Sequence, residues 1–391
     1  MELPQELIES IIDALVDDLD LYQDPWIVDN TAEVLDALKS CALATRAFLR
    51  PCQIYIFHGV TISNDAGLPP LVFSTLLVES PHLASYVRAL YIEYDVREVE
   101  DVEPMAHILA SVTNLARLDL YPKSNGQQMP WEQYPGPMRA SFESAFALPY
   151  LRHITLWYSH FSNALELQTL LRESTSLKTL VLRSVTFESS EPADTAEPLL
   201  EPSSPQVVLD SLQLYFLDGV QVQELLNYFT AIDITRLRSL YVHNTPMNTL
   251  LSVNAPTIQH LKIRAYYPDA FLNETIDAGA LKGAHDLQAL DLQVPYLSSL
   301  IRIARILGPF GHLARLRTIS VAVSQKTHQA DWTELDDLLS VVGDLPALRE
   351  VNVFSGSQFE DPDPEPLLRA WMPTLAGRDV LRVHGKHSWD A

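Results

Sequence analysis

A chain of 391 residues with 47% hydrophobic content has ample material for a large core, and its net charge of −23 argues against general nucleic-acid binding, which needs a basic face. No apolar run approaches a membrane span and no basic leader precedes the first helical stretch, so no membrane association is expected; with only two cysteines and no disulfide framework, a reducing cytoplasmic or nuclear location is expected. Thirteen glycines without a phosphate-loop spacing, and only two cysteines, Cys41 and Cys52, leave no sign of a nucleotide cofactor, disulfide framework or zinc site.

The first 50 residues differ from the rest. Leu3, Leu7, Ile8, Ile11, Ile12 and Leu15 fall at helical spacing and form one apolar stripe. Pro4 suits a first helical position, where its missing N–H costs nothing. Residues 17–30 are acidic, contain Pro25 and read as a loop. A second amphipathic run spans residues 37–49 and ends at Arg50, before Pro51. Two short helices do not bury both apolar faces against each other, so some of that surface must meet the rest of the chain or another protein.

Residues 64–70 form a turn-rich link, and residues 71–78 a short helical piece. From Val87 onward one pattern, Leu-x-x-Leu-x-Leu, occurs ten times, from Val87, Leu90 and Ile92 to Leu348, Val351 and Val353. The nine intervals cover 261 residues, a mean of 29. The last two apolar positions alternate with period two and share one face of a short strand, while the first turns in from the approach. One such repeat cannot bury its face alone; stacked repeats make a parallel sheet with a continuous core, and parallel strands need crossovers. Residues 163–173, 220–229 and 332–342 supply helical spacing for them, with Asp331 placed to cap the third. The interval from Leu237 to Ile258 is only 21 residues and holds Pro246 and Pro256, which argues against a full helix. The period and pattern are those of a leucine-rich-repeat α/β solenoid, a horseshoe with a curved parallel sheet.

Two inserts interrupt the repeats. Residues 122–138 are rich in proline and contain Trp131 and Tyr134. Residues 188–206 are acidic and rich in Ser and Pro, which predicts a disordered loop because little apolar surface offsets the chain entropy. Residues 361–366 form a stiff linker to a terminal capping segment near Leu381 and Val383.

Strand periodicity also defines what points away from the core. The residue just after each pattern runs Glu93, Tyr121, Trp157, Arg183, Tyr215, His243, Arg264, Gln293, Ala322 and Phe354. Aromatics and bases dominate this column of an acidic protein. Trp157, Arg183, Tyr215, His243 and Arg264 are therefore the candidate target-binding patch, suited to an acidic peptide; the alternative is that they only cover the sheet and pair across strands. Basic residues at the second pattern position, such as Arg152 and Lys178, read as structural. Twelve histidines are scattered without a metal-ligand spacing, and no nucleophile motif is present, so no metal and no enzymatic activity are expected.

Leu3-Pro4-Gln5-Glu6-Leu7-Ile8, followed by Ile11, Ile12 and Leu15, resembles the opening of an F-box, and residues 38–49 resemble its second half. Residues 56–62 and 80–88 resemble the continuation seen in F-box-like proteins of mushroom-forming fungi. The resemblance implies an F-box-like domain over residues 1–62, followed by the repeats over 63–391. It further implies a substrate adaptor of an SCF-type cullin ubiquitin ligase. Leu3, Pro4, Leu7, Ile8, Ile11, Leu38, Leu43, Arg46 and Phe48 would dock on a Skp1-type adaptor, and the repeats would bind a target protein. The chain departs from the motif at Phe48, where Trp is usual, at Ala44, where Val is common, and in the long acidic loop. The alternative is a repeat scaffold whose N-terminal helices only cap the solenoid.

Overall fold

The computed structural model describes residues 4–16, 31–65, 67–95, 99–122, 129–188, 207–246, 248–265, 281, 283–301, 313–323, 329–340, 345, 347–355 and 364–384. Leu3, the acidic loop at 17–30 and nearly all of the insert at 188–206 lie outside the described residues. The chain divides into two compact units, Met1–Leu177 with Val185–Leu199, and Lys178–Ser184 with Leu200–Ala391.

The first unit opens with three helices, α1 (Gln5–Val16), α2 (Thr31–Ala44) and α3 (Arg46–Ile56). The second amphipathic run is thus two helices. Thr45 breaks it with an extended backbone and accepts the Ala47 amide on its Oγ1, an N-cap for α3. Pro51 does not end that helix but sits inside it. A proline there costs about 3 kcal/mol in a solvated helix, and here both Pro51 and Cys52 are buried, which offsets the cost. Ile12, Val16, Leu38 and Cys52 form the core of the group, with Val34, Leu35 and Phe48 packed on it.

Four parallel strands follow, β1 (Gly59–Ile62), β2 (Ala89–Tyr94), β3 (Arg117–Pro122) and β5 (His153–Trp157), paired in that order. The F-box-like domain expected over residues 1–62 includes β1, yet the pairing of Val60 with Leu90 and Ile62 with Ile92 makes β1 part of the sheet. Helices α4 (Pro70–Glu79), α5 (Val102–Ser111), α6 (Gly136–Phe146) and α7 (Ala164–Leu171) are the crossovers. Asn163 caps α7 through its side chain to the Glu166 amide.

In the described part of the proline-rich insert, β4 (Met129–Pro130) pairs with β6 (Ser159–Phe161), which pairs with β8 (Thr186–Phe187). Trp131 and Tyr134 are buried against Phe142, and Trp131 also meets Phe161, so the insert adds an aromatic core of its own.

The second unit carries eight parallel strands in sequence order: β7 (Thr179–Arg183), β10 (Ser211–Tyr215), β12 (Ser239–His243), β13 (His260–Arg264), β14 (Ala289–Val294), β15 (Thr318–Val323), β16 (Glu350–Ser355) and β17 (Leu381–His384). A two-strand pair, β9 (Val207–Val208) with β11 (Ile232–Asp233), lies outside this sheet. The register follows the repeated pattern: Leu180 pairs with Leu212, Leu212 with Leu240, Leu240 with Leu261, Leu261 with Leu290, and Leu290 with Ile319. All of these are buried. β17 extends the ladder by pairing Val351 with Leu381 and Val353 with Val383, where a terminal cap was expected. Successive parallel strands in register with crossovers between them make this the α/β leucine-rich-repeat architecture.

Crossovers of the second unit are α8 (Gly219–Tyr228), α9 (Asn248–Asn254), α10 (Gln329–Ser340), α11 (Glu365–Trp371) and α12 (Pro373–Gly377). Asp218 and Gln221 form a reciprocal capping box on α8. α10 begins at Gln329, so Asp331 lies in its first turn rather than capping it, and there its charge opposes the positive helix end. Among the described residues of the 21-residue interval the helix is the seven-residue α9. Buried Asn254 closes it, accepting the Leu237 amide and donating to the Leu250 carbonyl. Buried Asp336 on α10 accepts the amides of Thr374 and Leu375, tying α12 to it.

Candidate protein-interaction surfaces

Two surfaces stand out, one in each unit. In the N-terminal helices the single stripe read from sequence splits in two. Ile8, Ile12 and Val16 recur every four residues and point inward. Leu7, Ile11 and Leu15 recur at the same spacing one position earlier and stay exposed, Leu7 at 52% and Ile11 at 50%. Leu43 at the end of α2 is 88% exposed, and Leu49 and Ile54 on α3 are exposed as well. Pro4 and Arg46 are exposed; the Pro4 carbonyl accepts the amides of Leu7 and Ile8 and starts α1. Two of the docking candidates do not belong to this surface: Ile8 and Leu38 are buried, as the inward side of an amphipathic helix must be. Phe48 packs half-buried on the core formed by Ile12, Leu38 and Cys52. α1 is further fixed to α3 by the Tyr55 hydroxyl donating to Asp13 at 2.6 Å; that hydrogen bond, with burial, pushes the phenol up to about 12.

The second surface is the side of the sheet facing away from the leucine core. Of its predicted patch, Trp157 lies in the first unit, where its ring stands 5.3 Å from that of Tyr121. The second unit brings together the other four. The Arg183 guanidinium lies over the Tyr215 ring, 4.1 Å from its centroid, and its Nη2 donates to the Tyr215 hydroxyl at 3.3 Å. Tyr215 donates in turn to Gln213 and meets Tyr241 edge-on at 4.7 Å. Lys262 stands over the Tyr241 ring at 5.2 Å. These are cation–π distances, attractive because the ring face carries the negative part of its quadrupole.

His243 sits among these groups with its ring 5.6 Å from Tyr215 and 4.3 Å from Phe216. Only 5% of it is exposed. Burial first, then the charges of Arg264 and Arg183, push its pKa down to about 3. It is therefore a neutral ring at neutral pH, not the base suggested by its place in the column. Burial raises the phenols of Tyr215 and Tyr241 and lowers the ammonium of Lys262, which Asp291 opposes.

Sequence reading missed Tyr241, Lys262 and Phe216 as members of this cluster. Tyr241 and Lys262 sit one column earlier on the same outward face. Phe216 follows the strand in a left-handed backbone with φ of 60°. Tyr158, Ser184 and Asn244 hold the same conformation at the same repeat position. In the second unit each such residue sends its amide to the next strand: Ser184 to Tyr215, Phe216 to His243 and Asn244 to Arg264. Ser, Phe and Asn share no sequence signature for that geometry, so nothing in the residue types announces it.

The first unit treats its outward charges differently. Arg117 grips Asp119 with Nε at 3.0 Å and Nη2 at 2.7 Å, both side chains nearly buried. His153 Nε2 lies 3.9 Å from the same carboxylate, and the Ser63 hydroxyl donates to Glu93 at 2.6 Å. Among the described residues no group of three or more His, Cys, Asp or Glu is placed to hold a metal ion, and no helix is long and apolar enough to cross a membrane.

No family model and no curated protein matches this chain. Among solved structures it is similar to the leucine-rich repeat-containing protein LegL7 from Legionella pneumophila, with 12% identity over 82% of this chain and 94% of that one and a TM-score of 0.40. It is also similar to the Rad7 and Elc1 complex in yeast, with 13% identity over 98% of this chain and 93% of that one and a TM-score of 0.33.

Proposed function

We propose that the chain is a non-enzymatic protein-interaction adaptor: its repeats hold a target protein, and its N-terminal helices dock on a Skp1-type adaptor of an SCF-type cullin ubiquitin ligase. The observation that carries the docking half is the second apolar stripe of α1. The three helices bury a core of their own, yet Leu7, Ile11 and Leu15 remain outside it, with Leu43 beside the end of α2. Exposed leucines and isoleucines aligned on one helix face have no use in a self-sufficient helical group and suit burial by a partner. The F-box resemblance over this segment names the kind of partner. The docking set is accordingly Pro4, Leu7, Ile11, Leu15, Leu43 and Arg46. Such a chain works by proximity, raising the effective concentration of a bound target near a ubiquitin-charged enzyme, and its place is the cytosol or nucleus.

The test is co-expression with a Skp1-type adaptor and size-exclusion chromatography, comparing the wild type with Leu7→Asp plus Ile11→Asp. Both side chains are half-exposed, so the variant should keep native circular dichroism. Burying two carboxylates at an apolar contact costs several kcal/mol, on the order of what abolishes a micromolar complex. Stoichiometric co-elution of the wild type alone supports the reading. No complex with the wild type overturns the docking half and leaves a repeat scaffold.

A further inference from the structure

We propose that Cys41 and Cys52 form a redox switch: peroxide joins them in a reversible disulfide that ties α2 to α3 and loosens α1. The switch is a property of the isolated chain; its effect on docking rests on the adaptor reading above.

The first observation is where the cysteines lie. The chain has two in 391 residues, and both stand in the N-terminal helical group as free thiols. Thr45 alone separates α2 from α3, and the two helices pack along each other. On α2, Val34, Leu38 and Cys41 recur at spacings of four and three and share one face. On α3, Phe48, Cys52 and Ile56 recur every four residues and share another. All six form or pack on one core, so the two faces meet, each with its cysteine. Axes of packed helices stand about 8–10 Å apart, and each Cα lies about 2.3 Å off its axis. Facing Cα atoms therefore approach to about 3.5–5.5 Å, which overlaps the range of about 4.4–6.8 Å that a disulfide spans.

The second observation is that the two thiols are unequal. Cys52 is wholly buried, whereas Cys41 is partly exposed and open to a small oxidant. Burial, then the neighbouring Cys41, pushes the Cys52 thiol up, so Cys52 is not the sulfur that reacts first. The Cys41 sulfur attacks one oxygen of hydrogen peroxide, the O–O bond breaks, and one water leaves a sulfenic acid behind. The Cys52 sulfur then attacks that sulfur, the S–O bond breaks, and the hydroxyl departs with the Cys52 proton as a second water. The two thiols lose two electrons, and the peroxide gains them. A dithiol reductant reverses the bond by exchange and becomes a disulfide itself.

The consequence follows from what Cys52 touches. Its side chain completes the core made with Ile12 and Val16 of α1 and Leu38 of α2. A bonded sulfur stands about 2.05 Å from its partner, about half the distance of a packing contact. Drawn to Cys41, the Cys52 sulfur leaves a gap beside Ile12 and Val16, and a gap in a packed core is destabilising. α1 bears the outward row of Leu7, Ile11 and Leu15, so loosening it disturbs the docking surface.

The experiment treats the full chain with hydrogen peroxide, alkylates the remaining thiols and maps the product by mass spectrometry. The expected product has lost two hydrogens, takes no alkyl group, and links Cys41 to Cys52 within one chain; a dithiol restores both thiols. Hydrogen–deuterium exchange in α1 of the oxidised chain should be about tenfold faster, with β7 and β10 unchanged. Cys41→Ser, a change at a partly exposed position, should form no link, and peroxide should leave its α1 exchange as it was. Oxidised wild type should bind a Skp1-type adaptor about tenfold more weakly than reduced wild type. Two alkylatable cysteines after peroxide, a link between two chains, or α1 exchange indifferent to the link would each overturn the switch, and equal adaptor binding by the two forms would overturn its effect on docking. Mapping and exchange are read on the isolated wild type, so they judge the switch even if the variant does not fold. Absence of any complex with the reduced chain overturns the adaptor reading alone.

Discussion

Each unit carries cations over tyrosine rings on its outward face, Arg117 over Tyr91 in the first and Arg183 over Tyr215 in the second, but only the first adds a nearly buried carboxylate fork. In the first, Arg117 is clamped by Asp119, His153 leans on the same carboxylate, and Glu93 accepts from Ser63. In the second, Arg183 and Lys262 rest on tyrosine rings, and Arg264 reaches Tyr241. A carboxylate holds its cation by charge, whereas a ring face holds one by its quadrupole and packs it at the same time. The repeat fixes where an outward residue stands, and the neighbour it meets decides whether it serves stability or recognition.

Changes to single charges test that contrast. Asp119→Asn keeps shape and removes the counter-charge from a nearly buried Arg117, which should cost about 3 kcal/mol in chemical denaturation. Arg183→Gln relieves repulsion with its neighbours and should cost under about 1 kcal/mol. Equal losses would erase the distinction between the two faces.

A second effect of comparable size is the acid limb of stability. His243 has a folded pKa of about 3 against an ordinary 6.5. The unfolded chain takes up the proton first, so the stabilising effect of this group is full above pH 6.5. It declines as pH falls and is gone below about pH 3, at about 1.4 kcal/mol for each pH unit between. His243→Gln should flatten that limb in urea titrations at pH 4 and pH 7. An unchanged slope would mean that the ring is not held neutral by its surroundings.

The smallest effect separates the two faces by backbone. Ser184 and Tyr158 both hold a left-handed φ, 50° and 45°. Ser184→Gly relieves it and should raise stability by about 0.5 kcal/mol. Tyr158→Gly relieves it too but removes a ring packed on Tyr121 and Trp157, so no gain in melting temperature is expected.

Much of the sheet was legible because the pattern Leu-x-x-Leu-x-Leu sets both the face and the register. β1 obeys it in disguise, with Phe57, Val60 and Ile62 at the same spacing, and the aromatic first position hid it among the helices. Helix caps at Asn163 and Asp218 follow from residue type, whereas α10 starts two residues before Asp331, for want of a distinctive residue at its true start. The aromatic packing of the insert had no local signal, because Trp131 is buried through tertiary contact with Phe142 and Phe161. For the candidate surfaces, period two placed Arg183, Tyr215, His243 and Arg264 on one side. It gave no access to the burial of His243, which depends on a left-handed Phe216 folding back across it. On α1 helical spacing found the apolar residues, while the division into a buried row through Ile8 and an exposed row through Leu7 required the partner helices.

Hydrogen–deuterium exchange on the chain mixed with a Skp1-type adaptor separates the work of the N-terminal helices from that of the second unit's face. If the helices alone dock, exchange slows across α1, α2 and α3, while β7, β10, β12 and β13 exchange as in the isolated chain. Protection confined to those four strands, or no protection anywhere, would contradict docking by the helices.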